Sequence, residues 1–221
     1  VAVGSINPGA SITFPTSAKV TPMPSSLMAS ARSEASNAGA RDAVTPEITG
    51  YIPSAAAGTP DVFELPPEAI GPIGLRQAAA DGDGRAQFEV AAIYTEGRAV
   101  AQDYAAAAKW YERAAAQGFA PAQYRLGNLY EAGTGVEKDL QVAKLWYQRS
   151  ADAGNRMAMH NLAALYAGGL LGEQEFEQAA EWFARAAALG MTDSQFNLGM
   201  LHARGLGVEQ DFEQSYKWFS L

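Results

Sequence analysis

Tryptophan stands at positions 110, 146, 182 and 218, each step being 36 residues. A fixed period of this length constrains a chain strongly, because equivalent residues must find equivalent surroundings in successive copies. Other columns keep the same step: Gly97, Gly133, Gly169 and Gly205; Asp103, Asp139, Glu175 and Asp211; Ala107, Ala143, Ala179 and Ser215; Gly118, Gly154 and Gly190. Each copy reads as two helices. In the first, Ala86, Val90, Ile93 and Tyr94 follow helical spacing, and Leu126, Leu129 and Tyr130 or Leu162, Leu165 and Tyr166 repeat the stripe. In the second, Ala107, Trp110, Tyr111 and Ala114 do the same. Gly118 and its equivalents suit a position just past a helix end, and Pro121 suits the start of the next helix. Neither helix can bury its apolar stripe alone, so neighbouring copies must stack. The expected fold is all-α, an α-solenoid of four 36-residue helix-turn-helix repeats starting near 86, 122, 158 and 194.

The ends of the array differ from its middle. "GLRQAAADGDGRAQ" lies one period before "WYERAAAQGFAPAQ" and reads as a lone second helix at about 68–81, capping the repeats. Leu221 falls inside the last second helix, so the last repeat is expected to be truncated and the native chain to continue. Ten of the 11 prolines lie at or before Pro72, and the large apolar residues of the opening stretch follow neither helix nor strand period. Such a segment buries too little to offset its ordering entropy. Residues 1–65 are therefore expected to be a disordered linker and 66–221 the folded array.

Charge and residue usage narrow the functions. Lys and Arg total 16 against 24 Asp and Glu, and no two basic residues are adjacent. Phosphate neutralisation needs clustered cations, so nucleic acid is not an expected partner. Without cysteine there is no disulfide, thiolate metal site or cysteine nucleophile. No apolar stretch reaches the ~18 residues that span a bilayer, so no transmembrane segment lies within this fragment.

"GTGVEKD", residues 133–139, is the one stretch that looks like a phosphate-cradling loop. Its four versions are "GRAVAQD", "GTGVEKD", "GLLGEQE" and "GLGVEQD". A phosphate loop needs G-x-x-x-x-G-K-[ST] after a strand, whereas Lys138 is followed by Asp139 and no strand pattern precedes it. What persists is the first glycine and an acidic residue six positions later. The pattern is that of a helix-ending glycine and an acidic cap on the next helix.

Other catalytic constellations are missing. The two histidines, His160 and His202, occupy different columns, and no H-E-x-x-H, G-x-S-x-G or S-x-x-K motif is present. Glu173, Glu175, Glu177 and Glu181 cluster; a carboxylate pair or calcium site competes here with a solvated helix start that complements the macrodipole, and the helix start is preferred. The tryptophan column reads as core rather than as a stacking platform, and His202 as a packed substitute in a tyrosine column. No cofactor or metal is expected.

One column does suggest a binding surface. Phe88, Tyr124, His160 and Phe196 lie two residues before Val90, Leu126, Leu162 and Leu198. Two residues turn a helix by about 200°, which carries this row away from the first helix's own core stripe. The row either packs against the adjacent repeat or lines a partner-binding groove, with Asn128, Met200, Glu131 and Arg204 nearby.

"AQYRLGNLYEAGTGVEKDLQVAKLWYQRSADAG" resembles Sel1-like repeats, relatives of tetratricopeptide repeats: A-Q-x-x-L-G-x-L-Y, then G-x-G-V-x-x-D, then A-x-x-W-Y and A-x-x-G. The resemblance covers residues 73–221 and implies a right-handed superhelix that binds other proteins rather than a catalyst. "AGNRMAMHNLAALYAGG", "DSQFNLGMLHARGLGVEQDFEQSYKWFSL" and "LPPEAIGPIGLRQAAADGDGRAQFEVA" are similar to the periplasmic part of alphaproteobacterial polar-organelle-development localization factors. That narrower resemblance implies a periplasmic scaffold for cell polarity, tethered to the inner membrane by an upstream segment and binding envelope or polar proteins. The alternatives are a periplasmic regulator of a sensor kinase and a peptidoglycan-binding envelope module.

Overall fold

The computed structural model describes residues 64–221; nearly all of the expected linker lies outside the described residues. A 3-10 turn at Glu68–Ile70 leads into α1 (Ile73–Ala80). Four helix pairs follow: α2 (Gly84–Glu96) with α3 (Tyr104–Ala116), α4 (Ala120–Ala132) with α5 (Leu140–Asp152), α6 (Arg156–Gly168) with α7 (Phe176–Ala188), and α8 (Thr192–Arg204) with α9 (Phe212–Phe219). No strand occurs among the described residues. Each helix packs extensively against its neighbours in sequence, α1 on α2, α2 on α3, and so on to α9. This one-dimensional pattern of contacts defines an α-solenoid.

The capping element is not one helix. Its period makes it the counterpart of α3, but Pro72 interrupts it after the 3-10 turn because proline supplies no amide hydrogen and disfavours helix at the residue before it. The arginine in the column of Glu112, Arg76, instead donates from Nε to the carbonyl of Pro66 at 2.6 Å.

Helix ends follow the columns. Gly97, Gly133, Gly169 and Gly205 all close first helices in the left-handed conformation that glycine adopts without strain. Asp103, Asp139 and Asp211 cap the second helices, their carboxylates accepting from backbone amides at 2.9–3.0 Å. Glu175 shares their column yet makes no side-chain cap bond. Its extra methylene carries the carboxylate past the amides that a shorter aspartate meets.

The core is made of alanines and rings. Ala107, Ala143 and Ala179 are fully buried, as are Tyr111, Tyr147 and Phe183 behind the nearly buried Trp110, Trp146 and Trp182. Glutamines that keep the 36-residue step supply a tie between repeats. Gln87, Gln123 and Gln195 donate from Nε2 to the carbonyls of Ala79, Ala115 and Ala187, near the end of the preceding second helix. A second set, Gln102, Gln174 and Gln210, donates to Thr95, Ala167 and Ala203 at the ends of α2, α6 and α8. Both sets serve carbonyls in the last turn of a helix, where intrahelical donors run out.

Candidate functional site

The loop after α4 is a structural joint. A β-carbon at Gly135, which has φ 75°, would collide with the backbone and side chain of Tyr104 at the start of α3. Gly207 stands in the same relation to Phe176 of α7. The second glycine of "GTG" and "GLG" therefore lets a loop lie on the preceding repeat, which leaves no cradle for a phosphate. The third repeat has Leu171 in that column, and its loop takes a different course with a bond from Gly172 N to Gly169 O.

The aromatic row of the first helices is placed against the second helices. Phe88 packs at a tilt against Tyr111, Tyr124 against Tyr147, His160 against Phe183 and Phe196 against Phe219, with centroids 5.5, 6.2, 5.5 and 5.5 Å apart. Each partner is the aromatic directly after the tryptophan of the same repeat. Two further contacts are made: Phe88 meets Phe119, which leads into α4, edge-on at 5.4 Å, and His160 Nδ1 lies 2.8 Å from Ser194 Oγ of the following repeat. Packing within the repeat thus adds to the two roles expected for this row. Exposure is graded along it. His160 is buried, Phe88 and Tyr124 are half-buried, and Phe196 is 57% exposed. Of the companions, Asn128, Glu131 and Met200 are half-buried and Arg204 is exposed.

Asn128 and Glu131 join a polar cluster at the middle of the array. The buried Tyr147 ring sets its hydroxyl 2.7 Å from Asn128 Oδ1 and 2.5 Å from Glu131 Oε2, its one proton shared between the two acceptors. Asn161, one repeat on, donates from Nδ2 to Asn128 Oδ1 at 3.1 Å. Burial and the nearby Glu131 charge push the Tyr147 pKa far up, so the hydroxyl stays a donor throughout the biological pH range. In the first repeat Tyr111 has only Thr95 Oγ1, at 3.3 Å, and in the third Phe183 has no hydroxyl. The second repeat alone pairs a tyrosine here with an asparagine and a glutamate. Asn161 carries this cluster beyond the expected residues, and the exposed Arg125, on the same helix as Asn128, bears electrostatically on Tyr111; periodicity gave no sign of the cluster, because its members belong to different columns.

The remaining candidates resolve into packing. The three buried tryptophans each carry an arginine from the next turn of their own helix, with Arg113, Arg149 and Arg185 at 4.4, 4.9 and 3.9 Å from the ring centroids. His202 is half-buried in its tyrosine column, and its Nδ1 is buried without a hydrogen-bond partner. Burial lowers the pKa of His160, against a smaller opposing effect of Asp193. Among the described residues no group of His, Asp or Glu is arranged to hold a metal, the cluster from Glu173 to Glu181 included. Among the same residues no helix is long and apolar enough to cross a membrane.

An array of paired helices with a capped start, glycine-closed first helices and a tryptophan-bearing second helix defines a helical-repeat protein. The Sel1 repeat family matches residues 84–119, 120–155, 156–191 and 192–221, and the chain belongs to that family. Repeats of this family mediate protein–protein interaction and are generally non-catalytic. Among solved structures, the chain is similar to c5321, a protective antigen of uropathogenic Escherichia coli strains displaying an SLR fold, with 34% identity and a TM-score of 0.63 over 66% of this chain and 32% of that one. It is also similar to a Sel1 repeat protein from Oxalobacter formigenes, with 29% identity and a TM-score of 0.59 over 63% of this chain and 57% of that one. The chain thus spans about a third of the first relative and little more than half of the second. No curated protein matches the chain.

Proposed function

We propose that the chain is a non-catalytic scaffold that binds another protein on the face of its first helices, between Phe88 and Arg204. The observation that carries this reading is the cluster around Tyr147. Its buried hydroxyl holds Asn128 and Glu131 in place, Asn161 extends the amide pair into the next repeat, and half-buried Tyr124 flanks them. Polar groups fixed before binding cost less entropy to use than mobile ones. The resemblance to polar localization factors supports a narrower version, a periplasmic module tethered to the inner membrane that recruits envelope or polar proteins.

The test is retention from envelope extract on the immobilised chain and on a variant with Arg125→Glu and Phe196→Ala. Both positions are exposed, so the substitutions spare the core. Circular dichroism first confirms that the two fold alike. A protein retained by the parent and lost by the variant supports the reading. Retention of cell-wall sacculi in place of any protein would instead favour a peptidoglycan-binding module.

A further inference from the structure

The contact between the third and fourth repeats differs in kind from the others. Where the first two repeats place a phenylalanine or tyrosine, the third places His160, and where three repeats have Ala86, Ala122 and Ala158, the fourth has Ser194. The two exceptions face each other: His160 Nδ1 and Ser194 Oγ are 2.8 Å apart and both residues are buried. The imidazole also packs against the Phe183 ring in a T-shaped pair, centroids 5.5 Å apart. Of the titratable groups on the surrounding helices α5, α7 and α8, Asp193 bears on the ring, and it favours the charged form. Burial opposes that form more strongly. The tautomer decides which of Nδ1 and Oγ donates while the ring is neutral; a protonated ring can only donate, so the serine oxygen must accept, and the contact then holds a cation between two buried residues.

We propose that the junction of the third and fourth repeats is an acid-weakened joint: protonation of His160 loosens α8 and α9 from α6 and α7. This deepens the proposed function, on which its consequence rests. Phe196 and Met200 sit on α8, so an opened joint splits the binding face and a partner that spans it is released in acid. The sign follows from linkage. His160 has a folded pKa below its ordinary 6.5, so the unfolded repeat takes up protons first as pH falls. The stabilising contribution is complete above about pH 6.5 and is lost progressively below it, until the folded-state pKa is reached.

Hydrogen exchange of the whole chain at pH 7.5 and pH 5.0, corrected for the intrinsic pH dependence of exchange, reads the joint without any partner. The expected result is a several-fold loss of protection across α8 and α9 at pH 5.0, with α4 and α5 changing much less. His160→Phe combined with Ser194→Ala, the residues other repeats use, abolishes the difference. His202→Tyr, which restores its column, leaves the difference in place. Equal protection of α8 at the two pH values overturns the proposal, as does an acid effect that disappears with His202→Tyr. Because no partner enters, either failure leaves the binding role itself untouched. Acid release of a partner without loss of α8 protection would place the sensor outside this joint.

Discussion

A β-carbon on Gly127 would lie 2.6 Å from the ring of Tyr147, so in the second repeat the two helices meet backbone against ring. The same column holds Ala91 and Ala163 in the first and third repeats, where the facing rings are Tyr111 and Phe183. In the fourth repeat the column returns to glycine, and a β-carbon on Gly199 would lie 2.7 Å from the Phe219 ring. Tyr147 is held by Asn128 and Glu131 and cannot swing aside without breaking those bonds.

Gly127→Ala is accordingly expected to destabilise the chain. Overpacking costs about 1–3 kcal/mol and helix propensity returns about 1, leaving a net loss of up to about 2 kcal/mol. On a Tyr147→Phe background the penalty shrinks, because the ring is free to shift. A double-mutant cycle by urea denaturation measures this coupling, and additive effects would contradict the account.

Glu175→Asp is expected to stabilise. The shorter side chain supplies the cap bond that Asp139 and Asp211 make and Glu175 does not, a gain of about 0.5–1 kcal/mol. Asp139→Ala is the matching loss, of about 1 kcal/mol. Thermal melts of the two variants should move in opposite directions from the parent.

The last helix is expected to exchange first. Phe212, Tyr216 and Phe219 are 69%, 75% and 46% exposed, whereas Tyr111, Tyr147 and Phe183, in the column of Phe219, are at most 2% exposed. Met200 and Trp218 are half-buried. At neutral pH the amides of α9 should lose protection before those of α5, since low local burial means low local opening cost. Protection of α9 equal to that of α5 would contradict this.

Helix pairing was legible in the sequence because burial imposes it: a 36-residue period with helical apolar stripes has few other packed solutions. The reading of the tryptophans as core was legible for the same reason. Partners of the aromatic row were not. A column shows which residues are equivalent, but not which helix lies opposite, so the packing of Phe88 against Tyr111 and its three counterparts had to be seen. The Tyr147 cluster and the His160–Ser194 contact were hidden more deeply. Each joins different columns, and each exists in one repeat or junction only, where a search for repetition treats the residue as noise. Glu175 shows the reverse error, a conservative column member whose length defeats the shared role.

The most direct test of the binding face is position-resolved photo-crosslinking in envelope extract. A photoreactive amino acid replaces Phe196 or Arg125 on the first helices in one pair of proteins. It replaces Lys109 or Glu181, exposed on α3 and α7, in another. The account predicts that one protein is captured from the first pair and not from the second. Capture of that protein from the second pair alone would contradict it.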